Sequence, residues 1–385
     1  MAPTADLVTS SAAPIAASAK LASLNIGQGR QASWRKGDLQ REPLVLKGLL
    51  EQYSHFDVTP VIGREFSTLQ IRDVLQADNA DELLRELAIT ISRRGVVFFR
   101  DQDLTPEEQK DFTHRVGLAA GKPESSGLHI HPITNAEREG HQITVDEKGT
   151  PNTDNEISVI SSKMRRELYS HYRRNHDATN EWHSDITFEP APADYTSLKV
   201  HTLPSTGGDT LWSSGYEIFD LLSPQIQAFA ETLTGHFAQP AFNEAAARGN
   251  FTLYSKPRGS PLNVGEHLSA DHPFIRTNPV TGWKSVFGLG SHFRHINGLT
   301  PKESELLRNH ILELVSTHHL AQVRFKWNKN DVAIWDNRST FHAATPDYEG
   351  LGDRAGVRAV SVGEAPYLDP NSWSRRDELG QDRLI

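Results

Sequence analysis

Two short segments far apart in the chain, Glu181-Trp182-His183-Ser184-Asp185 and Trp335-Asp336-Asn337-Arg338-Ser339-Thr340-Phe341-His342, constrain the fold most tightly. In the first, a His and a carboxylate two residues apart share one side of a strand or turn, and one distant His completes three donors on one face of an ion. A fold that uses them together has to seat two remote segments side by side. Three ligands on one octahedral face leave three positions open for a bidentate co-substrate and O2, as a non-haem Fe(II) site requires and a closed structural site does not provide. The chain therefore reads first as an oxidative enzyme. None of its 385 residues is Cys, which excludes disulfides and thiolate ligation, so iron here needs nitrogen and oxygen donors.

The pattern around these segments changes along the chain. Leu83, Leu84, Leu87 and Ile91 share one helical face, and Arg93-Arg94-Gly95 supplies terminal charge and a stop. A buried strand follows at Val96-Val97-Phe98-Phe99-Arg100. Thr105-Pro106-Glu107-Glu108 combines an N-cap, a Pro at the first helical position and a Glu at the third, and Thr300-Pro301-Lys302-Glu303 repeats that grammar. The second helix is expected to carry Leu306, Leu307, Ile311, Leu314 and Val315 on its apolar face. Strands are expected at Thr196–Val200, Thr210–Trp212, Val323–Trp327, Asp331–Asp336 and Ala359–Val362. The fold class is α+β and mainly β: a double-stranded β-helix, or jelly roll, with flanking helices and the metal held in its mouth.

Composition narrows the partners. A net charge of −9 gives no global basic field for nucleic acid or an anionic membrane, so an anionic substrate has to be caught by local Arg and His. No apolar run approaches the roughly 18 residues of a membrane span. Residues 1 to about 40, rich in Ala, Ser, Thr and Pro, read as a disordered leader rather than an organelle-targeting peptide, and 41–385 as a single catalytic domain in a cytoplasmic protein. The polar stretch of about 134–180 reads as a long surface insertion, with a functional lid as the alternative.

Seven blocks in order resemble the taurine and sulfonate dioxygenases, of the Fe(II)/2-oxoglutarate-dependent class. They are Gly95–Arg100, His129-Ile130-His131-Pro132, Trp182–Phe188, Leu203–Trp212, His272–Pro279, Trp335–Arg338 and Arg354-(x3)-Arg358. The resemblance implies Fe(II) bound by His183, Asp185 and His342, with 2-oxoglutarate held by Thr210 and Arg354, and O2 as the oxidant. Arg suits that second task because its planar fork matches a carboxylate better than Lys does. The resemblance also implies that His131, Arg358 and the backbone amide of Ile186 hold a sulfonate, with Phe242 as an aromatic wall. Asp336 and Asn337 read as turn residues that position His342. Members of the family are commonly oligomeric, so a homo-oligomer is expected.

Departures bear on the substrate. Ala178 and Thr179 stand where taurine-specific members place Asp and Asn for the amine, and His292, or Phe293 beside it, stands at an aromatic pocket position. The leading expectation is hydroxylation of an alkyl sulfonate without an amine at the carbon bearing sulfur, releasing sulfite and an aldehyde with succinate and CO2, in sulfur scavenging. The same iron chemistry on a sulfate ester, an aryloxyalkanoate, an amino acid or a secondary metabolite is the alternative. A catalytically silent jelly-roll binder and a zinc hydrolase are further alternatives, and a zinc site leaves Thr210 and Arg354 unexplained.

Overall fold

Alternation along Asp331–Asp336 organises the molecule. Val332 and Ile334 join one buried cluster with Leu83, Leu87, Ile91, Phe112 and Val116, whereas Ala333 and Trp335 join another with Phe98, Trp212, Phe325 and Trp327. Successive residues of a strand point to opposite faces, so this one strand separates a helix-covered side from the interior of a sandwich. The computed structural model describes residues 39–136, 154–163 and 181–382, all within the unit Leu39–Ile385.

The strands are β1 (His55–Asp57), β2 (Arg64–Phe66), β3 (Val96–Phe99), β4 (Ile157–Ser161), β5 (Ala193–Thr202), β6 (Thr210–Ser214), β7 (Thr234–Ala238), β8 (Ser269–Pro273), β9 (Ile275–Thr277), β10 (Lys284–Val286), β11 (Phe293–Ile296), β12 (Gln322–Phe325), β13 (Asp331–Asp336), β14 (Thr340–Ala344) and β15 (Ala355–Val362). The larger sheet has the order β1-β2-β3-β13-β5-β15-β4; the smaller ones are β12-β6-β14, β11-β7-β8 and β10-β9. Every pairing is antiparallel except β2 with β3. Phe98 of β3 meets Trp212 of β6 edge-on at 5.3 Å and stacks on Phe325 of β12 at 4.0 Å, so the larger sheet and β12-β6-β14 face each other across an aromatic core. This is the expected jelly roll with flanking helices.

The helices begin and end for local reasons. Ala80–Arg94 stops at Gly95, whose φ of 73° is open to glycine and strained for other residues. Pro106–Ala119 starts with a reciprocal capping box between Thr105 and Glu108, and at the start of Pro301–Thr317 the Glu303 carboxylate accepts from both the amide and the hydroxyl of Thr300. Along the latter helix Ile311 and Val315, one turn apart, are buried, but Leu306 is 59% exposed. Leu306 lies five residues from Ile311, well round the helix from the Ile311–Val315 stripe, so the expected apolar face is narrower by that residue.

Strand β5 departs from the usual alternation of buried and wet faces. Its first eight residues are buried, including Ser197 and Lys199. Gln109 and Thr113 of the helix Pro106–Ala119 hydrogen-bond Ser197, and the Lys199 ammonium donates to the Leu104 carbonyl at 2.7 Å. A helix covers the polar face, so its alternation marks two packing partners rather than one core and one solvent side. Within the stretch of about 134–180, residues 157–161 form β4, which pairs with β15 as an edge strand of the larger sheet. Ala178 and Thr179 lie outside the described residues.

Candidate active site

The two motif segments meet through backbone before any side chain is considered. The His183 amide donates to the His342 carbonyl at 3.0 Å, and the His342 amide returns to the His183 carbonyl at 2.8 Å, an isolated antiparallel bridge. β14 carries His342, and β14 is held in turn by β6. The His183 and His342 rings lie 4.2 Å apart, and one ligand atom each from His183, Asp185 and His342 fall within 4.8 Å of one another. Among the described residues no other group of three such side chains is so placed.

The protonation states suit a metal. His183 Nδ1 lies 2.7 Å from the Glu181 carbonyl, which can only accept, so Nδ1 donates there and Nε2 is the nitrogen left for a metal. Burial, reinforced by neighbouring His183, pushes His342 down to about 3, so it is neutral at pH 7, and its Nδ1 is buried without a partner. Burial would raise the Asp185 carboxyl, but Arg358, then His342 and His183, hold it well below the ordinary carboxylate range. Two imidazoles and one carboxylate fit a divalent transition metal with nitrogen and oxygen preferences.

Asp185 is aimed by its neighbours. Its Oδ2 accepts from the Thr196 hydroxyl at 2.9 Å, its Oδ1 accepts from Arg358 Nη1 at 2.8 Å, and its amide donates to Asn337 Oδ1 at 3.0 Å. The Asn337 amide nitrogen also donates to Thr196 Oγ1 at 2.8 Å. Asn337 does sit in the β13–β14 turn, but its side chain braces Asp185 rather than His342. Asp336 is the residue that ties the turn down, accepting from Ser92, Asn278 and Arg338. Thr196 escaped the sequence reading because its hydroxyl looked like one more strand residue.

A second cluster lies at the start of β15. Arg354 donates from Nε to the Gly208 carbonyl at 2.8 Å and from Nη2 to Thr210 Oγ1 at 3.3 Å. Trp327 Nε1 donates to the same hydroxyl at 3.0 Å, and its ring lies 5.8 Å from the guanidinium. Gly208 has φ 73°, and a Cβ there would come within 3.0 Å of Arg354 Cδ, so the loop makes room for this side chain. A guanidinium with donors to spare beside a fixed hydroxyl fits a distal carboxylate. Trp327 was not foreseen, because strand alternation marks it as core without revealing that its indole N–H pins Thr210.

A ring-lined wall stands on the other side of Asp185. His131 lies 5.1 Å from Phe242, Phe242 meets Phe188 edge-on at 5.9 Å, and Phe188 meets His292 at 4.9 Å. His131 Nδ1 accepts from the Ile133 and Thr134 amides at 3.2 and 3.3 Å, which leaves the proton on Nε2. Burial lowers His131 well below the usual imidazole value, with His129, Arg358 and His292 acting in the same direction. Ile186 adopts φ 49°, an outlier for a β-branched residue, in the turn after Asp185. Glu189 holds that turn: its carboxylate binds Arg258 in two places, at 2.5 and 2.8 Å, and His129 at 3.1 Å. Arg358 Nε is buried without a partner, although Nη1 is engaged by Asp185.

With this geometry in view, the comparisons with known proteins are specific. The taurine catabolism dioxygenase TauD, TfdA family model matches residues 54–360. The chain is 46% identical to the alpha-ketoglutarate-dependent dioxygenase btcD of Neocamarosporium betae, over 88% of this chain and 99% of that one. It is 30% identical to an alpha-ketoglutarate-dependent sulfonate dioxygenase of Saccharomyces cerevisiae, over 81% of this chain and 67% of the other. Its fold superposes on a taurine dioxygenase from Burkholderia xenovorans with a TM-score of 0.60 at 26% identity, covering 83% of this chain and 94% of the neighbour.

Proposed function

The chain belongs to the taurine catabolism dioxygenase TauD, TfdA family of Fe(II)- and 2-oxoglutarate-dependent enzymes, and from that premise we propose that it hydroxylates a small organic anion, foremost an alkyl sulfonate. The observation that carries the anion is a set of unused polar atoms beside the metal ligands. Arg358 Nε has no partner, the outward nitrogen of His131 keeps its proton, and the Ile186 amide has no acceptor among the described residues. One guanidinium, one imidazole N–H and one main-chain N–H suit a tetrahedral head group.

In this reading His183, Asp185 and His342 hold Fe(II), and Thr210 and Arg354 hold the far carboxylate of 2-oxoglutarate. The bound iron, 2-oxoglutarate and O2 together supply the oxidant for an unactivated C–H bond, with succinate and CO2 as co-products. Thr196 and Asn337 keep Asp185 aimed, while Trp327 fixes the Thr210 hydroxyl that Arg354 also engages. The rings of Phe188 and Phe242 hold the apolar part of the substrate and exclude water from it. Arg358 and His131 grip the head group, so that the carbon bearing it is the one presented. A sulfonate hydroxylated there loses the hydroxyl proton as the C–S bond breaks, the bonding pair leaves with sulfite, and an aldehyde remains.

His292 favours a second reading. Its Nδ1 meets the Thr187 hydroxyl at 3.0 Å and its ring stands against Phe188, adding a polar edge to the wall. A carboxylate-bearing metabolite with an oxygen substituent uses that edge, and a plain alkyl chain does not. The deciding experiment incubates the Fe(II)-loaded enzyme with 2-oxoglutarate, O2 and a panel of sulfonates, sulfate esters and carboxylates, measuring succinate and sulfite together. Stoichiometric sulfite supports the sulfonate reading, and substrate-stimulated succinate without sulfite moves the enzyme to the second.

A further inference from the structure

On the other side of the segment that presents His183 is a cleft of about 330 Å³ that none of this chemistry uses. Trp182, Leu289 and Phe293 form a buried apolar floor, and Leu312 closes one side. Leu312 and Arg308 lie one turn apart on the helix Pro301–Thr317, so both reach the same space. Arg294, exposed at the rim on β11, brings a second guanidinium.

The two cations have no acid between them. Arg294 donates from Nε and Nη2 to the Ala238 carbonyl, at 3.1 and 2.6 Å. Arg308 makes no hydrogen bond or ion pair among the described residues, and its Nε is buried without an acceptor. Burial and the nearby Arg308 charge both push the Arg294 guanidinium below its ordinary value. In a chain of net charge −9, acids are available to neutralise surface arginines, yet this pair is left facing an apolar floor. Like charges held together cost free energy that a bound anion recovers, and the apolar floor adds burial for whatever carries the anion.

We propose that this cleft is a second ligand site, binding a monoanionic organic acid with a short apolar body, its carboxylate or sulfonate between Arg294 and Arg308 and its hydrocarbon on Trp182 and Leu289. The site is distinct from the one at Arg358 and lies against the same ligand segment from behind. Trp182 immediately precedes His183, and Gly290 passes so close that a Cβ on it would sit 3.2 Å from His183 Cα.

The test is a ¹⁹F NMR titration of the full-length, metal-free protein at low salt with 6,6,6-trifluorohexanoate as the probe, comparing wild type, Arg308→Leu, Arg308→Lys, Arg294→Leu and Arg358→Ala. The expected result is a binding component that persists in Arg358→Ala, weakens at least about tenfold in Arg308→Leu and Arg294→Leu, and is partly retained in Arg308→Lys, as loss of a charge-assisted contact predicts. Binding in Arg308→Leu equal to wild type overturns the proposal. So does the absence of any component once Arg358 is removed, which assigns all binding to the active site. Arg308→Lys, which keeps the charge and the helix, separates loss of the site from loss of the fold.

Discussion

Two Asp–Arg pairs in this molecule, each built on a buried carboxylate, look alike and are built for different ends. Asp336 accepts five hydrogen bonds, from Ser92, Asn278, the Arg338 amide, Arg338 Nε and Arg338 Nη2. Asp185 accepts two, from Thr196 and Arg358. The first carboxylate is saturated by protein donors and fixes the β13–β14 turn. The second retains lone pairs and stands beside a buried imidazole nitrogen and a guanidinium nitrogen that have no partners. A carboxylate that holds a fold together is filled from within, and one that holds a ligand is left partly open, at some expense in stability.

Substitution of the two aspartates tests this contrast most severely. Asp185→Ala is expected to abolish Fe(II) binding and substrate-dependent succinate formation while leaving urea unfolding of the metal-free protein cooperative. Asp336→Ala, which leaves the Arg338 guanidinium uncompensated, is expected to cost about 3–5 kcal/mol in the same urea experiment. Equal loss of stability in both variants breaks the comparison. Arg358→Ala sharpens it: KM for an anionic substrate should rise about 10- to 100-fold, with uncoupled 2-oxoglutarate decarboxylation continuing, as read from the succinate-to-product ratio. Thr196→Val removes one of the two donors to Asp185 and should weaken Fe(II) affinity by about 10- to 100-fold in an anaerobic titration, without an equivalent change in unfolding.

The smallest effect is in pH. Burial lowers His272 to about 4 from an ordinary 6.5, and its Nε2 is 2.9 Å from the Thr187 carbonyl. Because the folded value is depressed, the unfolded chain binds the proton first as pH falls. The stability this neutral ring contributes is therefore full above about 6.5 and is lost as pH drops toward 4. Urea midpoints of the metal-free protein at pH 7 and pH 5 should differ in that direction, and a His272→Phe variant should show a flatter profile.

Much of the fold was legible in the sequence because it is written in local grammar. The capping box at Thr105–Glu108, the stop at Gly95 and the alternation of β13 depend on neighbours within a few residues. His183 and Asp185 could be picked out because a metal needs particular donors at a particular spacing, and the remote His342 through the resemblance of the ordered motifs to the family. What could not be read were partnerships set by tertiary approach. Thr196, Trp327 and the Glu189–Arg258–His129 clamp belong to strands and loops whose residue types are ordinary, and their roles exist only where remote segments cross. Lys199 and Ser197 show the same limit, since polar residues on a strand do not announce whether water or a helix will cover them.

The bridge between His183 and His342 also has a consequence for how the protein is made. One strand of that two-residue ladder is synthesised long before the other, and His183 and Asp185 have no counterpart until β14 has left the ribosome. Iron capture is thereby tied to synthesis of β14: a nascent chain that stops short of it carries two of the three ligands, and the third arrives only with His342.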